Sequence, residues 1–181
     1  GEKSARDDDE PIHWREFGEE NETAIAGSAG FGWLTDQRFG DSTVSVGASA
    51  SVDHFFFPSA SLGVALSGGY ARTENPKATG NKVSEQGDAF VEPRFGYVLP
   101  ISDRFSFYPN AGVRFGVVTS QSTGFTIDAV LDARVLWHFA PHFFVGFGPS
   151  FALGLFAEDA RGQSLARTTS VGAALSVGGW L

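Results

Sequence analysis

The residues best equipped for chemistry are Glu92, Arg94, Arg114, Asp128, Asp132 and Arg134. All six fall at even positions of three segments whose odd positions are mostly apolar. If those segments are strands, a period of two places the whole set on one face. Paired carboxylates can act as general acid and base. Carboxylates flanked by guanidiniums, however, stay ionised, which suits neither role. The planar fork of arginine matches a carboxylate, and a buried charge must be paired because an isolated one is strongly unfavourable. The set therefore reads first as a polar plug. Its second reading is a gate whose ion pairs exchange partners to open a narrow, porin-like path. Removing Arg114 is expected to cost about 3–5 kcal/mol if it is buried and paired.

Other chemistry is thinly represented. The chain has no Cys, which excludes thiolate catalysis, disulfides and zinc-thiolate sites. It has four histidines, His13, His54, His138 and His142. His13 lies in a polar leader and the other three lie near short turns. His138 and His142 are four apart, but Pro141 between them rules out the helical spacing a metal pair would use. The run Asp7, Asp8, Asp9, Glu10 lacks the alternation, turn glycine and distal Glu of a calcium loop. No catalytic residue, metal or cofactor is expected.

The elements that must position these residues follow from alternation. Residues 143–156 put Phe143, Val145, Phe147, Phe151, Leu153 and Leu155 on one face and Gly146, Gly148, Ser150, Ala152 and Gly154 on the other. That is the period of a strand. The same pattern holds over 125–139, 105–119, 89–99, 60–70 and 43–53, and more weakly over 25–33 and 169–181. Each of the eight segments is near the length, about 9–11 residues, with which a tilted strand crosses a bilayer. Connections alternate between tight, proline-containing turns (54–58, 100–104, 140–142) and longer polar loops (35–42, 73–87, 120–124, 157–167). Short turns at one end and longer loops at the other are the asymmetry of outer-membrane barrels.

Composition decides which face points outward. The chain contains 23 Gly, 18 Phe and only the lysines Lys3, Lys77 and Lys82, none within a candidate strand. A soluble barrel would expose the Gly/Ser/Ala face without lysines and overfill its interior with large apolar side chains. Inverting it places small and charged groups inside and the apolar band against lipid. Two aromatic girdles fit that arrangement. Tyr97, Phe105, Phe107, Trp137 and Phe143 lie near the short turns, and Trp33, Tyr70, Phe125 and Phe156 near the loops. The expected fold is all-β, an eight-stranded antiparallel up-and-down transmembrane β-barrel over residues 23–181. Small inward residues line one arc. The charged set lines the other, where symmetric hairpins would align Glu92 with Gly112 and Asp132, and Arg94 with Asn110 and Arg134.

Net charge is uneven. Residues 1–22 carry nine acidic and three basic residues, a balance of −6, against twelve and ten, or −2, in the remainder. Residues 1–22 read as an acidic, flexible periplasmic leader whose removal should leave the barrel foldable. Its aromatic patch at residues 12–17 is expected to touch the barrel base. Neither part carries a basic nucleic-acid footprint.

On these eight segments, the loop asymmetry and the strand-like C-terminus, residues 23–181 resemble the small outer-membrane β-barrels of Gram-negative bacteria, the outer-membrane-protein-A-like and X-like group. The chain departs from that group's usual terminal aromatic, ending Trp180, Leu181. The resemblance implies an integral protein of the bacterial outer membrane with periplasmic termini and the lipid bilayer as its surroundings. The expected role is non-enzymatic: structural, adhesive or partner-anchoring. A partner would be an envelope protein meeting residues 1–22 or loop 73–87. The alternative is an ion or small-solute channel gated by the interior charges. A lipid-modifying enzyme is disfavoured, because no histidine falls near the longer loops.

Overall fold

The computed structural model describes residues 17–36, 41–75, 83–120, 123–164 and 169–181. The acidic run at 7–10, His13, the lysines and residues 76–82 of the 73–87 loop lie outside the described residues. Alternation of large and small side chains yields strands β1 (Thr23–Asp36), β2 (Asp41–Phe57), β3 (Ala60–Glu74), β4 (Val83–Tyr97), β5 (Leu99–Ser102), β6 (Phe105–Thr119), β7 (Thr123–Ala140), β8 (Phe143–Asp159) and β9 (Thr169–Trp180). Pairing is antiparallel throughout. β1 meets β9 and β4 meets β6, so the sheet closes on itself. β4 and β5 form one stave interrupted at Val98, whose amide leaves the ladder to donate to the Ser59 carbonyl at 2.7 Å. Nine strands therefore build an eight-stave, up-and-down barrel.

The strands run further than alternation alone shows. β3 continues to Glu74 and β4 begins at Val83, inside the polar stretch read as a loop. Polar cross-strand contacts extend this hairpin where apolar alternation has ended. Arg72 bonds Glu74 at 2.9 Å and approaches Glu85, its register partner on β4, at 3.9 Å. Thr43 and Thr73 hydroxyls meet at 2.9 Å between β2 and β3. At the opposite end the connections are tight. Pro58–Ser59 and Pro141–His142 turns place Ser59 (φ 69°) and His142 (φ 65°) in the left-handed region, the conformation a two-residue reversal demands of its second residue.

Residues 17–22 are built into this tight-turn end. Gly18 (φ 99°) reverses the chain, and its amide and that of Glu19 donate to Glu22 Oε2 at 3.0 and 3.2 Å. The Gly18 carbonyl accepts from Ser59 at 2.7 Å, and the Glu22 carbonyl accepts from Phe55 at 2.8 Å. The leader's last residues are thus tied by backbone bonds to β2 and to the β2–β3 turn.

Candidate functional site

The lumen is organised in layers, beginning with a hydrophobic floor at the end where β1 starts and β9 finishes. Phe17, Phe55, Val98, Tyr108, Leu136, Phe144 and Trp180 are buried together there. Phe17 stands at the centre. Its ring centroid lies 5.2 Å from Phe55, 5.6 Å from Tyr108, 5.4 Å from Phe144 and 5.2 Å from Trp180. Edge-on aromatic contacts of this kind add to the burial energy. Trp180 therefore points inward, as its parity requires. Beneath the same rings Ser106 Oγ and His138 Nε2 meet at 2.9 Å, both buried. The His138 ring lies 5.5 Å from Phe17 and 5.1 Å from Trp180. His54 and His142 also lie at this end, His54 bonded to Thr23 at 3.0 Å.

Above the floor lie the charges. Arg94 reaches across β3 to Asp53 on β2. Its Nε donates to Oδ1 at 2.8 Å and its Nη2 to Oδ2, a bidentate fork with both side chains 3% exposed. Arg134 donates to Asp132 at 2.6 Å along β7. Arg114 donates to Asp128 through Nε at 3.1 Å and Nη2 at 2.9 Å, and its guanidinium lies 4.5 Å above the Phe90 ring. Glu92 also faces the lumen, half-buried one step above Arg94. Nearby, Ser61 and Tyr108 share a hydroxyl bond at 2.7 Å.

All six charged residues singled out in the sequence face inward, but they are grouped differently from the symmetric-hairpin expectation. Arg94 is opposite Gly112, Asn110 is opposite Asp132, and Tyr108 is opposite Arg134. Both interfaces are displaced by two residues. The cause lies in the turns, since the first hairpin reverses at Asp103–Arg104, past the middle of the 100–104 stretch. A two-residue shift keeps parity, so every side chain stays on its face while its neighbours change. The result is that each guanidinium pairs with its own aspartate, with Glu92 within electrostatic reach of Arg94, Asp132, Arg114 and Arg134.

Asp53 is the residue that sequence reading missed. Alternation sets Ser45, Gly47, Ser49 and Ser51 on the inward wall of β2 and a turn from 54, yet β2 runs to Phe57 and carries Asp53 and Phe55 inward. The available signal was parity, because Asp53 is in phase with Ser49 and Ser51.

Gly63, between Asp53 and Arg94 in register, is what lets them meet. A methyl there would lie 2.0 Å from Asp53 Oδ1 and 2.5 Å from the Val52 carbonyl. Gly63→Ala is therefore expected to lose about 1–3 kcal/mol in denaturant unfolding from detergent or lipid. Gly30→Ala, where an added Cβ meets nothing within 4 Å, should stay within about 0.5 kcal/mol of wild type. Equal midpoints for the two variants would mean that the Asp53–Arg94 geometry is not as described.

The outer face completes the picture. Ile25, Val46, Leu62, Phe95, Ile101, Val117, Leu131, Phe147 and Val177 are all exposed, and together they come from every strand of the ring. A continuous apolar belt of this kind cannot face water. With every described stave antiparallel and the sheet closed, only lipid fits. The chain is a transmembrane β-barrel. Its aromatic girdles lie as the strand ends dictate: Tyr97, Phe105, Trp137 and Phe143 are exposed towards the tight turns, and Tyr70, Phe125 and Phe156 towards the loops. Phe107 is half-buried between Leu99 and Val135, and the Trp33 backbone pairs with Val44. Phe156, even in number, joins the outer face because the register shifts opposite the Ile127–Asp128 step.

No protein-family model matches the sequence, and no curated protein matches it. Among solved structures, the chain is similar to Ail, the attachment invasion locus protein of Yersinia pestis, at 15% identity and a TM-score of 0.49, covering 89% of this chain and 98% of that one. It is similar to Neisserial surface protein A at 14% identity and a TM-score of 0.49, covering 88% and 93%. The closed strand order and the apolar outer face establish the barrel without them. Among the described residues, no group of three His, Asp or Glu side chains is placed to hold a metal ion.

Proposed function

We propose that this barrel is a non-enzymatic outer-membrane protein with a closed lumen, serving as a structural, adhesive or partner-anchoring element of the envelope. The observation that carries this reading is the aromatic floor around Phe17, the main obstruction of the lumen, above which the ion pairs narrow the path. A pore needs neither. The tight turns share an end with the start of β1 and the finish of β9, and short turns mark the periplasmic end in outer-membrane barrels. The turn at residues 17–22 fixes where the acidic leader departs from the barrel. That supports the leader, together with the 73–87 hairpin at the other end, as the place to seek an envelope partner.

The test is single-channel conductance in a planar bilayer. Wild type and Arg114→Ala are both expected to be silent, because the floor remains in place when the charge is removed. Phe17→Ala, which opens the floor, is expected to show conductance steps. Steady conductance in wild type that rises in Arg114→Ala would replace this reading with the gated channel.

A further inference from the structure

The barrel wall is incomplete between its first and last strands. Among the described residues, the β1–β9 ladder runs from Ala24↔Trp180 to Ser28↔Ser176 and stops. β1 continues to Asp36 paired only with β2, and β9 starts at Thr169 paired only with β8. Above Ser28 each strand thus has an edge without a partner strand. A cavity of about 620 Å³ is bounded here by both faces of the two segments, by inward Gly30 and Gly172 and by outward Phe31 and Val171. With no β1–β9 pairing above Ser28↔Ser176 among the described residues, no strand pairing separates this cavity from the outer face there. Two further observations agree. An added Cβ at Gly30 or Gly172 meets nothing within 4 Å, and Phe31 and Val171 are 74% and 77% exposed.

Such a gap in a bilayer needs an occupant, because backbone N–H and C=O groups facing hydrocarbon without partners are strongly unfavourable. On the lumen side the cavity is bordered by Asp88 and Arg114. Arg114 is already balanced by Asp128, so Asp88 leaves the site with a negative excess. A free anion is disfavoured there. A headgroup carrying both an ammonium and a phosphate matches Asp88 and Arg114 together. We infer that the β1–β9 seam is a lateral port at which a zwitterionic membrane lipid places its headgroup in the lumen while its chains stay in the bilayer beside Phe31 and Val171. This rests on the barrel spanning a bilayer and is independent of whether the lumen conducts.

The test uses the full chain folded in vesicles of phosphatidylethanolamine and phosphatidylglycerol in equal parts, extracted gently and weighed by native mass spectrometry. Continuing the register past Ser28↔Ser176 sets Gly30 opposite Ala174. The chain has no cysteine of its own, so Gly30→Cys with Ala174→Cys gives a seam that can be bridged or released. The reduced variant and wild type should retain phosphatidylethanolamine. Oxidation should lower retention about tenfold or more, the equivalent of ~1.4 kcal/mol or more, and reduction should restore it. Recovery on reduction separates loss of the port from loss of the fold. Should the bridge not form, Gly30→Leu with Gly172→Leu fills the same space and should lose the lipid. Retention that is equal in bridged and reduced protein, absent from both, undiminished in the filled variant, or selective for phosphatidylglycerol overturns the assignment.

Discussion

Arg94→Ala is expected to lower the unfolding free energy in micelles or bilayers by about 3–5 kcal/mol, the cost of leaving a buried carboxylate without its partner. Asp53 and Arg94 are each 3% exposed, and the guanidinium fork meets both carboxylate oxygens. Removing either member strands the other in a site shielded by the aromatic floor. Asp53→Ala should therefore cost a similar amount, and the double variant much less than the sum, since it leaves no orphaned charge. Substituting both with apolar residues of similar volume, Asp53→Leu with Arg94→Met, should recover most of the loss. Denaturant unfolding followed by tryptophan fluorescence measures all four. Additive losses in the double variant would show that the two residues do not interact. Arg114, which the sequence alone marks for this cost, has a side chain 25% exposed towards the upper cavity, and its truncation should cost less than that of Arg94.

The contrast between Arg94 and Arg114 shows what was legible in the sequence. The face on which each charge lies follows from parity, which a strand cannot alter without a bulge. So the inward set Glu92, Arg94, Arg114, Asp128, Asp132 and Arg134 is visible before any coordinates. Who pairs with whom is not, because register depends on turn geometry. The β4–β6 pairing moves by two positions because the chain reverses at Asp103–Arg104, past the middle of the 100–104 stretch. Asp53 was hidden by the weight given to Pro58. A proline-containing stretch beginning at His54 reads as a turn, yet the ladder persists to Phe57, with an irregularity between Phe55 and Phe57 that accommodates the approach to Pro58. The seam between β1 and β9 is equally invisible to alternation, which reports the faces of a strand and says nothing about its edges.

Phe17→Ala should have an effect as large as that of Arg94→Ala, but a different signature. Phe17 comes from outside the alternating region, in the aromatic patch at residues 12–17 that is expected at the barrel base but gives no periodic signal. In the structure it is 7% exposed and touches rings from β2, β6, β7, β8 and β9: Phe55, Tyr108, His138, Phe144 and Trp180. It joins staves that are far apart around the ring. Truncation to alanine in such a site typically costs about 3–5 kcal/mol. The cavity would also be continuous with the space around His138 and Ser106, so stability and permeability should change together. Two deletions separate anchor from tail. A chain lacking residues 1–16 keeps Phe17 and the Gly18–Glu22 turn, and should unfold at the wild-type denaturant concentration. A chain lacking residues 1–22 loses the floor's central ring as well as the Phe55–Glu22 backbone bond. It should resemble Phe17→Ala or be weaker, so the sequence expectation that the whole leader is dispensable narrows to its first sixteen residues. Identical midpoints for the two deletions would show that Phe17 does not hold the barrel closed. A silent bilayer record from Phe17→Ala, on protein proven folded, would place the block in the ion pairs alone.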